Sequence, residues 1–208
     1  MRPTRALIDL SALRQNVRTI RTSLPPSTQM IAVVKANAYG HGAIPVSRAA
    51  LGAGADWLAV AIPEEGMELR AAGIRAPILV LGLTLPEQAQ LFAEYDLTAT
   101  VATLEGLQIF HQTGEKCRQP VRVMLKLDTG MGRIGVQPED AVPFARQAQS
   151  MSGIKIQGLF THFATADEAD STFTLTQLDR LQQALAGLQA AGLDLPIVSA
   201  ANSAATDS

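Results

Sequence analysis

A lysine directly follows an apolar, largely β-branched run at residues 31–34 and precedes a short loop of small residues that includes Gly40 and Gly42. The run lacks the alternation of a half-buried strand and therefore predicts a fully buried parallel strand. Lys35 would stand at the end of this rigid element, where partial loss of water favours the neutral amine that attacks a carbonyl carbon. The alternative is a lysine whose stem leaves the core and whose ammonium reaches solvent.

A second group of charged residues ends an alternating stretch at residues 121–127. Lys126 and Asp128 lie two positions apart, so their side chains share one face of the predicted strand. An unpaired buried cation is costly, so Lys126 needs a partner or a chemical modification, and an ion pair with Asp128 is the structural alternative. Arg133 follows in a loop bracketed by glycines, which suits a guanidinium that binds a substrate carboxylate. A solvated loop arginine is the alternative.

Two further candidates follow later apolar strands. His162 ends the stretch at residues 154–160, where a satisfied structural histidine is the alternative to a functional one. Asn202 and Ser203 come directly after the last apolar stretch. Hydroxyls and backbone amides in such loops hold phosphate groups, although the serine also suits the N-cap of a following helix.

Helix and strand signals alternate along the chain. A short strand is predicted at residues 5–10 and a helix with Ser11 as its N-cap follows it, while later helices begin at Pro63 and Thr103, the second of them ending at Gly114. The remaining predicted strands are residues 30–34, 57–61, 77–81, 97–101, 121–127, 154–160 and 196–199.

This alternation predicts an α/β protein with a parallel sheet and right-handed crossovers. No G-x-G-x-x-G follows the first strand, which favours a TIM-like (β/α)₈ barrel over a doubly wound sheet. Such a barrel takes about 250 residues, so we expect an incomplete barrel of seven strand–helix units. Catalytic groups lie at the carboxyl ends of barrel strands, so Lys35, Lys126 and Asp128 are expected to share one mouth.

Composition restricts the class of protein. The net charge is −2 and no basic stripe interleaves with aromatic residues, so we expect no nucleic-acid partner. The single cysteine, Cys117, excludes an intrachain disulfide and a cysteine-cluster metal site, and we expect no metal. No run approaches the ~20 apolar residues of a membrane span, and no apolar leader follows the N-terminal charges. We expect a cytoplasmic protein.

Four segments, in order, resemble motifs of the alanine racemases, enzymes of fold-type III that depend on pyridoxal 5'-phosphate (PLP). They are V-V-K-A-N-A-Y-G-H-G at 33–42, K-x-D-T-G-M-G-R-x-G at 126–135, T-H-F-A-T-A-D at 161–167 and A-N-S-A-A at 201–205. Each segment follows a predicted strand, and the resemblance extends from about residue 4 to residue 206.

The resemblance implies an isomerase that interconverts L- and D-alanine. It implies that PLP is bonded to Lys35, which, once free, removes or returns the α-proton of the amino acid. Tyr39 would bind the cofactor phosphate together with Asn202 and Ser203, and His162 would pack against the PLP ring.

The resemblance also assigns the second group of charged residues. It implies that Arg133 binds substrate and cofactor oxygens. Lys126 would often be carbamylated, which converts a buried cation into an anion that pairs with the arginine. Asp128 belongs to the same motif and would support the pair.

The family's second acid–base group is a tyrosine of a C-terminal β-rich domain, supplied by the partner subunit of a homodimer. The sequence offers only Tyr39 and Tyr95. We therefore expect a fragment of weak or no activity, with residues 1–10 pairing with the absent domain and residues 11–208 forming the PLP-binding barrel. A single-domain PLP homeostasis protein without racemase activity and a poorly folded relic are the alternatives.

Overall fold

A computed structural model of the chain describes residues 4–206. The chain divides into two compact units, Met1–Leu81 and Gly82–Ser208, which we call unit 1 and unit 2. Among residues 4–206, every helix is too short or too polar to span a bilayer.

Unit 1 consists of three parallel strands and the helices that connect them. The strands pair in chain order, β1 with β2 and β2 with β3. The elements are α1 (Leu10–Ser23), β1 (Ile31–Val33), α2 (Lys35–Tyr39), α3 (Ala43–Leu51), β2 (Trp57–Val60), α4 (Pro63–Ala71) and β3 (Ile78–Val80).

The start of unit 1 differs from the sequence prediction. Residues 5–9 belong to no helix or strand, and α1 already begins at Leu10. The N-cap is Asp9 rather than Ser11, because the Asp9 carboxylate accepts hydrogen bonds from the backbone amides of Ser11 and Ala12 at 2.8 and 3.1 Å. The pairing of residues 1–10 with a further domain stays a prediction, and residues 1–3 lie outside the described part.

Strand β1 is not the fully buried strand that its apolar run predicts. Val34 is 1% exposed, whereas Val33 is 41% exposed. Within unit 1, β1 pairs with β2 along one edge, and α3 packs against it. Successive side chains along a strand point to opposite sides, so Val33 and Lys35 lie on one side and Val34 lies on the other.

Unit 2 repeats the same pattern with four parallel strands, which pair in chain order from β4 to β7. The elements are α5 (Ala89–Glu94), β4 (Thr98–Val101), α6 (Leu104–Cys117), β5 (Val121–Lys126), α7 (Ala141–Gln149), β6 (Ile154–Phe160), α8 (Thr172–Ala190), β7 (Ile197–Ser199) and α9 (Ser203–Thr206), and short 3₁₀ turns at Pro86–Gln88 and Pro138–Asp140 precede α5 and α7.

The helix boundaries of unit 2 test the sequence signals. Thr103 caps α6 as predicted, because its hydroxyl accepts the Gly106 amide at 3.0 Å. Gly114 does not end this helix, which continues to Cys117. A Cβ at Gly114 would lie 1.8 Å from the carbonyl oxygen of Gly153, so glycine is required here for close packing and not for helix termination.

The described strands of each unit are parallel to one another and alternate with helices, which confirms the predicted fold class, an α/β protein with the elements of an incomplete TIM-like (β/α)₈ barrel. In each unit the core consists of the strands and the helix faces packed against them. In unit 2, for example, the Phe92 and Phe110 rings meet edge to face with centroids 5.1 Å apart.

Candidate active site

Lys35 follows the last residues of β1 and lies at the start of α2. Its side chain is half-buried, on the same side of the strand as the exposed Val33. Within residues 4–206 its amine makes no hydrogen bond or ion pair. A primary amine therefore stands at the carboxyl end of a strand without a structural partner, which leaves it available for covalent chemistry.

The loop predicted after Lys35 is a single left-handed turn. Ala36, Asn37, Ala38 and Tyr39 have φ angles of 52°, 53°, 51° and 54°, and Gly40 follows at 85°. Each left-handed non-glycine residue costs roughly 1–2 kcal/mol. Four in succession require compensating contacts, and the turn presents Tyr39, a residue that is 60% exposed.

Hydrogen bonds from several directions hold the left-handed turn. The Ala38 amide donates to the Val34 carbonyl at 2.8 Å, and the Ala43 amide donates to the side-chain oxygen of Asn37 at 2.7 Å. The Ala36 amide donates to Oε1 of Glu65 in the first turn of α4 at 2.5 Å. Sequence reasoning did not identify Glu65, although a glutamate three positions after the N-cap residue, here Ile62, is part of a recognised helix-start signal.

Lys126 ends β5 and is 4% exposed. Its Nζ donates to the Leu127 carbonyl at 2.9 Å and lies 5.0 Å from the centroid of the Phe160 ring. Burial lowers the pKa of this ammonium to about 8; the Arg133 guanidinium contributes to the decrease, whereas the Asp128 carboxylate opposes it. The amine is thus nearer to its neutral, nucleophilic form than an exposed lysine.

Asp128 folds the loop that follows β5 and forms no ion pair with Lys126 within 4 Å among the described residues. Its carboxylate accepts the backbone amides of Gly130, Gly132 and Arg133 at 3.0, 3.0 and 3.1 Å. Burial alone would raise the pKa of Asp128, but these hydrogen bonds and the Lys126 charge outweigh burial and lower it. The ion-pair interpretation is therefore wrong.

Arg133 is exposed, and its backbone is held by Asp128. The glycines on either side of it have φ angles of 69° at Gly132 and 144° at Gly135. Gly135 also lies against the backbone of Asp128, because a Cβ added at Gly135 would be 2.3 Å from the backbone nitrogen of Asp128. The loop thus has a fixed backbone, and its guanidinium makes no hydrogen bond or ion pair with the described part of the chain, which suits a carboxylate-binding arginine.

The loop after β6, which contains His162, is held by a glutamine that sequence reasoning did not identify. Gln177 on α8 is 0% exposed. Its Nε2 donates to the His162 carbonyl at 3.1 Å and to the Thr129 hydroxyl at 3.3 Å, and its Oε1 accepts the Ala164 amide at 2.8 Å. Gln177 therefore links the loops that follow β5 and β6 and fixes the backbone at the half-buried His162.

Asn202 and Ser203 begin α9. Asn202 is its N-cap, because its side-chain oxygen accepts the Ala205 amide at 3.1 Å, while its Nδ2 donates to the Phe163 carbonyl at 3.2 Å. Asn202 therefore links the loops after β6 and β7. Ser203, the alternative N-cap in the sequence prediction, is instead the first helical residue and is exposed.

The predicted residues thus form two sets. In unit 1 a turn supported by Glu65 carries Lys35 and Tyr39, and in unit 2 the loops after β5, β6 and β7 are linked through Gln177 and Asn202. The sharing of one mouth by Lys35, Lys126 and Asp128 involves both units and stays a prediction. Unit 1 offers a primary amine and an exposed hydroxyl, and unit 2 offers an exposed hydroxyl and an exposed guanidinium; each of these groups has chemistry that suits an aldehyde cofactor with a phosphate.

Comparison with known proteins gives a consistent result. The family model described as "Alanine racemase, N-terminal domain" matches residues 8–207. Alanine racemases from Halothermothrix orenii and Streptococcus pneumoniae are 48% and 43% identical over 204 and 206 residues, 98% and 99% of this chain, and the chain covers 54% of each.

Solved structures agree with the sequence matches. The alanine racemase of Clostridium difficile 630 superposes with a TM-score of 0.94 at 38% identity, over 99% of this chain and 54% of that chain. The alanine racemase of E. faecalis gives 0.89 at 42% identity, over 99% of this chain and 55% of that one. The chain spans about half the length of the curated relatives it matches.

Proposed function

Because the chain belongs to the alanine racemase family through its N-terminal domain, we propose that it forms the PLP-binding part of an enzyme that interconverts L- and D-alanine. The isomerase class follows from the family, whereas the roles of individual residues and the activity of these 208 residues are our proposals.

The observation that carries the proposal is the position of Lys35. Its half-buried amine has no partner in the described chain and lies at the carboxyl end of β1, before a left-handed turn that presents Tyr39. An unpartnered amine on a constrained turn suits a lysine that must form and break a bond with a carbonyl carbon in every cycle.

PLP fits the available donors and, when bound, supplies an aldehyde and a ring that takes up the electrons left by α-proton removal. We propose that Lys35 holds the cofactor and, when released by the amino acid, transfers the α-proton at Nζ. The Tyr39 and Ser203 hydroxyls and the Asn202 segment bind the phosphate, and His162 packs against the ring.

The residues after β5 are proposed to bind the substrate. The exposed Arg133 guanidinium binds the carboxylate of alanine, and Asp128 maintains the loop geometry that presents it. Lys126, whose pKa is lowered to about 8, is proposed to be carbamylated and to interact with Arg133 as an anion. A carbamate forms only from a neutral amine, so the lowered pKa favours this modification.

Racemisation requires a second acid–base group on the opposite face of the α-carbon. The family resemblance assigns it to a tyrosine from a C-terminal domain of the partner subunit, and the chain spans about half of its relatives. We therefore propose that the complete enzyme is a homodimer and that these 208 residues in isolation racemise alanine weakly or not at all. We also propose that the enzyme is cytoplasmic.

Cofactor binding is tested by adding PLP to the purified chain. We expect the visible absorbance band of lysine-bound PLP, and borohydride reduction followed by peptide mapping should place the label on Lys35. Lys35→Ala should remove both signals, whereas Lys155→Ala, which alters an exposed lysine, should retain them. A label on any lysine other than Lys35 would contradict the proposal.

The reaction is tested by incubating the PLP-loaded chain with each alanine enantiomer in deuterated water. If the chain supplies only one acid–base group, the α-hydrogen of one enantiomer should exchange with solvent faster than the other enantiomer forms. Fast racemisation would refute the proposal of weak activity. PLP binding without either exchange or racemisation would favour the alternative of a PLP homeostasis protein.

A further inference from the structure

We propose that Glu65 is a positioning residue for Lys35: its carboxylate holds the left-handed turn that carries the reactive amine. The inference rests on the proposed function, since it assigns Glu65 a role in presenting Lys35 to PLP. Glu65 acts through the backbone next to the lysine and not on the substrate.

The contacts of Glu65 connect two strand ends. Oε1 accepts the Ala36 amide, the first after Lys35, at 2.5 Å. Oε2 accepts the Ala61 amide, just after β2, at 2.7 Å and the Ile62 amide at 3.4 Å. The Glu65 side chain is half-buried, and hydrogen bonds to an ionised acceptor are roughly twice as strong as neutral ones.

Helix capping does not account for these contacts. A capping-box glutamate accepts the amide of its own N-cap residue, here Ile62, and that bond is the longest of the three. Ile62 has no side-chain acceptor with which to complete the box. The shortest bond instead goes to Ala36, 29 positions earlier, in a different element of unit 1.

The hydrogen bond from the Ala36 amide to Glu65 lies at the start of the left-handed turn. Ala36 is the first of four consecutive non-glycine residues with positive φ, a conformation that L-residues avoid. Without an acceptor for its amide, the backbone after Lys35 is free to leave the left-handed region. The directions in which Lys35 and Tyr39 project would then change together.

A carboxylate is required because both partners are amide donors. Glutamine at position 65 retains one oxygen, but its NH₂ group would face the second backbone amide, donor against donor. Glu65→Gln is therefore an isosteric test of the proposal. Glu68→Gln is the matched control, since Glu68 lies one turn later on α4, is exposed, and carries the same charge.

Amide hydrogen exchange tests the contact without any cofactor. In the 208-residue chain, Glu65→Gln is expected to speed exchange at the Ala36 amide by about tenfold or more over wild type and Glu68→Gln, with far-ultraviolet circular dichroism unchanged. Unchanged protection of Ala36 in Glu65→Gln would overturn the proposal. This measurement does not depend on PLP. A chain that binds no PLP would refute the proposed function and would leave the hydrogen-exchange result for Glu65 unaffected.

PLP titration tests the consequence for Lys35. Glu65→Gln is expected to bind PLP about 10- to 100-fold more weakly than Glu68→Gln, as monitored by the lysine-bound absorbance band. Adding Ala36→Gly to Glu65→Gln should restore part of this affinity, because glycine adopts a φ of 52° without strain. Equal PLP affinities in Glu65→Gln and Glu68→Gln, or no recovery with glycine, would show that Glu65 does not act through the turn.

Discussion

The ammonium nitrogen of Lys126 lies 5.0 Å from the centroid of the Phe160 ring, on the neighbouring strand. The aromatic face and the Leu127 carbonyl both contact the ammonium group, and they replace only part of the water that it loses at 4% exposure. This imbalance explains why the pKa of Lys126 falls to about 8 despite the nearby Asp128.

Lys126 should make the stability of the chain depend on alkaline pH. Its pKa is about 8 in the folded chain and 10.5 as an unperturbed lysine, so the unfolded chain binds more protons between these values. The free energy of unfolding should therefore rise with pH from about 8, by up to about 3 kcal/mol once both states have lost the proton. Chemical denaturation in carbonate-free buffer at several pH values measures the rise.

The difference between wild type and Lys126→Met isolates this effect from other titrating groups. Lys126→Met should lack the rise and should be as stable as wild type or more stable near neutral pH, because it removes a buried charge. The exposed Lys155→Met should follow wild type. Parallel pH curves for wild type and Lys126→Met would contradict the lowered pKa.

Carbamylation of Lys126 should respond to bicarbonate. Because the pKa of Lys126 is lowered, we expect isotope-labelled bicarbonate to give a carbamate resonance in wild type that is absent in Lys126→Met. Addition of bicarbonate should also reduce the alkaline rise in stability, since a carbamate no longer titrates as an amine. A carbamate signal that persists in Lys126→Met would assign the modification to another residue.

Most strand positions were predictable because their signals are local. The apolar run before Lys35 and the Thr103 cap each depend on a few neighbouring residues, and both elements form where expected. The boundary at Gly114 was wrong because the reason for that glycine is a contact with Gly153, which is distant in sequence. Local sequence does not reveal such contacts.

The left-handed turn and its supporting side chains were beyond sequence reasoning for a related reason. Ala36 and Ala38 favour right-handed helix, and hydrogen bonds that the turn's backbone amides donate, including one to the Glu65 carboxylate, override that preference. Gln177 was missed because a glutamine on an amphipathic helix is normally assigned to solvent. In both cases a polar side chain satisfies backbone groups of another segment, and only the three-dimensional structure identifies the segment.

Gln177→Leu should strongly destabilise unit 2. The change removes the acceptor of the Ala164 amide and the donor to the His162 carbonyl and leaves both groups buried or half-buried without these partners. We expect a loss of about 2–4 kcal/mol in the free energy of unfolding, measured by urea denaturation. Gln182→Leu alters an exposed glutamine on the same helix and should cost less than about 0.5 kcal/mol; equal losses would contradict the role assigned to Gln177.

Gly114→Ala should destabilise the packing of α6 against the turn before β6. The new Cβ would overlap the Gly153 carbonyl, and its neighbours there are backbone atoms that cannot rotate away. The expected loss is about 3 kcal/mol or more, seen as a lower thermal midpoint. Gly187→Ala, inside α8, places its Cβ 3.4 Å from a Val142 methyl group and should be neutral or stabilising by up to about 1 kcal/mol.

Asp128 should make the stability of the loop after β5 decrease at acid pH. Three backbone amides and the Lys126 charge hold its pKa below the ordinary value of 3.8, so the ionised carboxylate stabilises the folded chain above that value, and this contribution disappears as pH falls through the lowered pKa. Asp128→Asn retains one acceptor oxygen but places an NH₂ group toward backbone amides. Its free energy of unfolding should therefore be lower by about 1–3 kcal/mol at neutral pH and should show a smaller further loss in acid.

The Arg133 amide should also exchange faster in Asp128→Asn, because its acceptor at 3.1 Å is weakened. Asp167→Asn, at an exposed carboxylate after β6, is the control and should follow wild type throughout; an acid profile of Asp128→Asn parallel to wild type would show that this carboxylate does not hold the loop.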